Sequence, residues 1–70
     1  MSLVNNFFWN GEEYFTEEEV TLSELLQYFD YQSSVFVVEY NHKICEKQRW
    51  KNILLQKNDK IEVITIVGGG

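Results

Sequence analysis

The chemical opportunity in this sequence lies at its end. The run IEVITIV is followed by Gly68, Gly69 and Gly70, residues that cannot pack and that carry a backbone entropy cost of about 0.5 to 1 kcal/mol relative to alanine inside an element. A slack terminus is one reading. The other makes the α-carboxylate of Gly70 the working group, with Gly68 and Gly69 giving it access. Glycine leaves the terminal carbonyl unhindered, and three such residues reach about 10 Å beyond the last packed position at about 3.3 Å each. A carboxylate is a poor electrophile because its charge is delocalised and solvated, so acyl chemistry there needs a leaving group installed first. Three other side chains invite a chemical reading. Cys45 is the single cysteine, and in a β-prone run it reads as an inert small hydrophobe rather than a redox group. His42, alone in a turn, reads as solvated, and Trp50, close to Ile53 and Leu54, reads as packing. No His/Cys cluster has zinc spacing, so no metal site is expected.

With 70 residues, the chain is a single domain near the lower limit for folding alone, burying only about 60% of the surface its unfolded form exposes. One cysteine excludes an internal disulfide, so a hydrophobic core must hold the fold, and 44% apolar with 16% aromatic residues can supply one. No apolar run reaches the roughly 18 residues of a membrane span, and the N-terminus lacks the pattern of a signal peptide. The sequence thus reads as a soluble protein of a reducing compartment. Net charge is -5, which argues against nucleic-acid binding. Residues 1–40 carry eight acidic side chains and no basic one, while all six basic residues fall between Lys43 and Lys60. Such asymmetry is ordinarily solvated surface and otherwise steers a charged partner. The absence of Ala and Pro beside many Asn, Lys, Ile, Phe and Tyr is the bias of an AT-rich genome, such as an organelle's.

Local signals give the elements that must hold the tail. Two β-prone runs flank Asn10-Gly11, the dipeptide that most favours a two-residue hairpin turn. Glu17, Glu18 and Glu19 read as an exposed connection. In VTLSELLQYFD, Thr21 and Glu24 form a capping box, Val20 and Leu25 a hydrophobic staple, and Leu22, Leu25, Leu26 and Phe29 one apolar stripe, which predicts a helix of about nine residues lying against a sheet. SSVFVVEY predicts a central strand that turns at Asn41 into a short strand. A polar turn at Asn58-Asp59 precedes a final strand of about seven residues. The order β, β, α, β, short β, β predicts an α+β domain of the β-grasp (ubiquitin-like) type: a mixed sheet of four to five strands on one helix, with first and last strands as central neighbours. The domain would span residues 1–67 and the flexible glycine tail 68–70. The segment 46–56 is too short and broken for the second helix of a ferredoxin-like fold. In the last strand, alternation turns Ile61 and Val63 toward the helix and Ile64 and Ile66 away from it, beside the tail, as a partner-docking pair.

The stretch VFVVEYNHKICEKQRWKNILLQKNDKIEVITIVGGG, with the helix TLSELLQYF before it, resembles the ThiS family of sulfur carrier proteins in thiamine thiazole biosynthesis. A strand, an Asn turn, Trp50, an acidic turn at Asp59, a final strand and terminal glycines follow in that order. Asn41-His42 stands where the family commonly has Asn-Gly, Cys45 where a small or apolar residue is usual, and no glycine lies between Gln56 and Asp59. The resemblance implies a carrier that is not an enzyme and holds no cofactor. A ThiF-type adenylyltransferase would use ATP to adenylate Gly70, a sulfur-donor protein would supply the sulfur of a thiocarboxylate, and thiazole synthase would receive it. The location would be the cytoplasm, or the plastid stroma for an organelle-encoded chain. Two alternatives stay open: a molybdopterin synthase small subunit, with the same acyl chemistry, and a ubiquitin-like modifier or interaction module.

Overall fold

The computed structural model describes residues 5–31 and 35–65. Strand β1 (Asn5–Trp9) and strand β2 (Glu12–Thr16) form the first hairpin, helix α1 (Leu22–Tyr28) crosses over, and strands β3 (Phe36–Tyr40), β4 (Lys43–Cys45) and β5 (Asp59–Thr65) complete the sheet. A short 3-10 helix, Lys47–Asn52, links β4 to the last segment. The five strands lie in the order β2-β1-β5-β3-β4. Strand β5 is central, parallel to β1 and antiparallel to β3. The mixed sheet of five strands on one helix is the expected β-grasp arrangement, with first and last strands adjacent.

Each element follows from its local chemistry. Asn10 and Gly11 both take positive φ, 49° and 85°, the conformation a two-residue hairpin turn needs. Thr21 caps α1 through the reciprocal box: its Oγ1 accepts from Glu24 N at 3.1 Å, and Glu24 Oε1 accepts from Thr21 N at 2.9 Å. The helix is seven residues rather than nine, because the chain leaves helical geometry at Asp30, whose φ is 63°. Phe29 N still donates to the Leu25 carbonyl at 3.0 Å, and Tyr31 N to that of Leu26 at 2.8 Å, closing the last turn. Over 47–52 the chain forms one 3-10 helix without a buried residue, consistent with a segment too short and broken for a second packed helix.

The core lies between α1 and one face of the sheet. Leu22, Leu25 and Leu26 meet Phe7, Trp9, Val38, Cys45, Leu55 and Ile61, all at 6% exposure or less. A row of rings runs across this layer: Tyr14 edge-on to Phe29 at 5.3 Å, Phe29 stacked on Trp9 at 4.3 Å, Trp9 tilted to Tyr31, then Tyr31 to Phe36, and Phe36 stacked on Trp50 at 5.4 Å. Ring pairs of this kind contribute about 0.5 to 1.5 kcal/mol each beyond their area. A domain with no disulfide draws its cohesion from that row.

One expectation is corrected here. Asp59 reads from the sequence as part of a polar turn, but the turn sits at Lys57 and Asn58, with Asn58 at φ 67°, and Asp59 opens β5 at 5% exposure. Burial is tolerated because the carboxylate is surrounded by donors. Tyr40 Oη donates to it at 2.5 Å, Gln56 N at 2.7 Å and Asn41 Nδ2 at 3.1 Å. Burial first, then the bond to Asp59, pushes the Tyr40 phenol above its ordinary 10.0. The sign follows directly: the folded state keeps a proton that the unfolded state releases, so the contribution is complete below about pH 10 and is lost as pH rises further. Urea midpoints measured from about pH 9 to 11.5 should fall more steeply in the native chain than in Tyr40→Phe. At neutral pH the variant should be less stable by about 1 to 3 kcal/mol, because a buried carboxylate loses a donor.

Candidate functional site

Strand β5 is the last described element before the glycines of the sequence. Each of three asparagines at positive φ, Asn10, Asn41 and Asn58, makes a hydrogen bond to a neighbouring strand or turn. Asn10 N donates to the Ile61 carbonyl at 2.9 Å, and its Oδ1 accepts from Val63 N at 2.8 Å. From the opposite side, Asn41 N donates to the Lys60 carbonyl at 2.7 Å, and its Oδ1 accepts from Lys60 N at 2.8 Å. Asn58 joins the start of β5 to β1, its N donating to the Asn6 carbonyl at 2.8 Å and its Oδ1 accepting from Asn6 Nδ2 at 2.7 Å. The hairpin turns at both ends of the sheet therefore act as clamps on the central strand. Sequence reading placed Asn10 and Asn41 in turns but did not assign them this second role; the repeated pairing of Asn with a second residue at positive φ, Gly11 and His42, was its signal.

Alternation along β5 is as expected over the described residues. Ile61 is 1% exposed and Val63 is packed against the core, whereas Ile64 is 48% exposed. Ile64 pairs with Val37 of β3, and the nearby Val35 is 70% exposed, so an apolar strip lies on the helix-free face where β5 leaves the described fold. Ile66, Gly68, Gly69 and Gly70 lie outside the described residues, as does the proposed tail 68–70 as a whole.

Of the remaining candidates, Cys45 and Trp50 fall as packing residues and His42 as surface. Cys45 is buried, and burial is the chief cause of its thiol being pushed up, so the reactive thiolate is scarce at neutral pH. Its carbonyl accepts from Trp50 Nε1 at 3.1 Å, which holds the indole against Phe36. Cys45→Ser should therefore keep the fold while losing about 1 kcal/mol of stability by placing a hydroxyl in the core, which a thermal melt reads. His42 is exposed. Among the described residues, no group of three or more His, Cys, Asp or Glu side chains could hold a metal ion, and no helix is long and apolar enough to cross a membrane.

With strand, clamps and apolar strip in place, comparison with known proteins is decisive. The ThiS family model matches residues 6–70. The chain belongs to the ThiS family. The protein ycf40 of Trieres chinensis is 51% identical over 70 residues, covering 100% of this chain and 96% of that one. The sulfur carrier protein ThiS of Bacillus subtilis (strain 168) is 34% identical over 50 residues, 71% of this chain and 76% of its own. A thiazole synthase of Magnetococcus marinus matches at 33% identity over 61 residues, covering 87% of this chain but 19% of the synthase. The crystal structure of the thiamine biosynthesis protein ThiS from Geobacter metallireducens superposes with a TM-score of 0.77 at 25% identity, covering 93% of this chain and 99% of that one. This ThiS-family member shares with that structure the β-grasp fold.

Proposed function

We propose that this ThiS-family chain carries sulfur on the α-carboxyl of Gly70 and delivers it for formation of the thiazole of thiamine. A carboxylate oxygen of Gly70 attacks the α-phosphorus of ATP in the site of a ThiF-type adenylyltransferase, releasing pyrophosphate and leaving an acyl adenylate. The outer sulfur of a donor protein's persulfide then attacks the acyl carbon and displaces AMP. A thiol cleaves the resulting S–S bond, taking the donor away as a mixed disulfide and leaving a terminal thiocarboxylate, the sulfur of which passes to thiazole synthase. The chain itself holds no cofactor and performs no catalysis; its partners do. It works in the cytoplasm, or in the plastid stroma if organelle-encoded.

The observation that carries this reading is the family match running to residue 70 on a strand clamped from both sides. The Magnetococcus marinus thiazole synthase, which contains a stretch similar to this chain, supports thiazole synthase as the receiving partner. Ile64 and Ile66 serve as the docking pair. Incubation with the adenylyltransferase and ATP tests the first step: pyrophosphate release that depends on this chain supports the proposal, and its absence overturns it. A modifier would instead be found attached to the amines of other proteins.

A further inference from the structure

A second surface, at the β2 edge of the sheet and away from the exposed Ile64 of β5, has the makings of a binding site. Strand β2 stands at the edge of the sheet and pairs with β1, so its outer edge offers backbone donors and acceptors. Between that strand and α1 runs a groove of about 560 Å3. Its apolar lining includes Phe7, Tyr14, Val20, Leu25 and Phe29, and its rim carries Glu17, Glu18 and Glu24. Among the described residues, no basic side chain lines it. Tyr28, also in the lining, is 80% exposed although an aromatic ring. The walls are already ordered: Tyr14 and Tyr28 each pack edge-on to Phe29, at 5.3 and 5.0 Å, and Glu24 is fixed by the capping box.

We propose that this groove binds an extended segment of a partner polypeptide, apolar in its middle and rich in Lys or Arg at its flanks, which adds to β2 as a sixth strand. An added strand pairs the backbone edge that a helical occupant or a small molecule would leave unpaired, and alternate side chains of such a strand enter the groove while main-chain hydrogen bonds run along its length. The five residues of β2 set the length of the paired stretch. Charge selects the occupant. Glu17, Glu18 and Glu24 attract a cationic flank, and they disfavour a second copy of this chain, whose own edge brings Glu12 and Glu13 to the contact. Docking here leaves the helix-free face with Ile64 uncovered, so the segment would tether the carrier while Gly70 is being processed elsewhere.

The test uses the full chain and three synthetic peptides: alternating valine and threonine flanked by lysines, the same core flanked by glutamates, and the lysine-flanked core with a central proline that breaks strand pairing. Backbone amide shifts are followed on titration. Binding of the first peptide with shifts centred on Glu12–Thr16 and α1, at least tenfold weaker binding of the other two, and a tenfold loss in both Tyr28→Ala and the Glu17→Lys, Glu18→Lys double variant are expected. Tyr28, Glu17 and Glu18 are exposed, so these variants fold. Ile64→Ala should bind as the native chain does. No binding of the lysine-flanked peptide at millimolar concentration, equal binding of all three, or shifts centred on the Ile64 face would each overturn the proposal. Sulfur loading of Gly70 is read separately and is untouched by either result.

Discussion

Removal of Gly70 should abolish sulfur loading while leaving the fold as it is. The loss should be complete rather than partial, because the proposed electrophile is one carboxyl group whose position is set by chain length. Shortening the chain by one residue withdraws the terminal carboxylate by about 3.3 Å, and misplacement of a reacting atom by about 1 Å already costs on the order of a hundredfold in rate. Glycine has no side chain to bury, so circular dichroism and melting temperature should match the native chain. Intact mass after incubation with adenylyltransferase, ATP and sulfur donor decides the matter. A truncated chain that still takes up sulfur would mean that the acceptor atom lies elsewhere.

The second large effect concerns the two faces of β5, where substitutions of the same kind should have opposite consequences. Ile61 lies at 1% exposure among Phe7, Trp9, Leu22 and Val38. Ile61→Glu forfeits about 1.5 to 3 kcal/mol of burial and places a charge without a partner in the core. A domain of this length holds only about 4 to 10 kcal/mol in total, so Ile61→Glu should be unfolded at room temperature, and Val63→Glu strongly destabilised. At Ile64, 48% exposed, a glutamate should change stability by less than about 1 kcal/mol yet weaken binding to the adenylyltransferase at least tenfold, about 1.4 kcal/mol. Ile66→Glu should behave like Ile64→Glu. Thermal melts and binding titrations on the four variants check both halves. Early melting of the Ile64 variant with unchanged binding would remove this face from the docking surface.

How much of this was legible beforehand follows from the range of the interactions involved. Helix α1 declared itself because its signals are local: Thr21 and Glu24 satisfy each other across one turn, and Leu22, Leu25 and Leu26 share a face. The first hairpin was equally plain in Asn10-Gly11. The adjacency of the first and last strands followed from the β-grasp arrangement that one helix between the second and third strands suggests, whereas the full order was not read. The alternation of Ile61, Val63 and Ile64 needed only the period of a strand. Asp59 was misplaced for the converse reason. A short polar sequence favours a turn, and nothing within a few residues reveals that Tyr40, 19 residues earlier, donates to its carboxylate. The aromatic row from Tyr14 to Trp50 and the Asn10 contact to Val63, 53 residues away, are likewise products of topology. The tail stands apart: it was conspicuous because its glycines make no structural sense within a strand, and its chemistry came from resemblance rather than from geometry.

The central claim is that sulfur is carried on the carboxyl of Gly70, and fragmentation of the loaded protein by mass spectrometry tests it most directly. After incubation with the adenylyltransferase, ATP and the sulfur donor, the intact mass should rise by the exchange of one oxygen for one sulfur. That increment should appear in every fragment containing Gly70 and in no fragment ending before it. Sulfur found on a fragment that contains Cys45 and ends before Gly70, or an unchanged mass accompanied by amide conjugates to other proteins, would contradict the account.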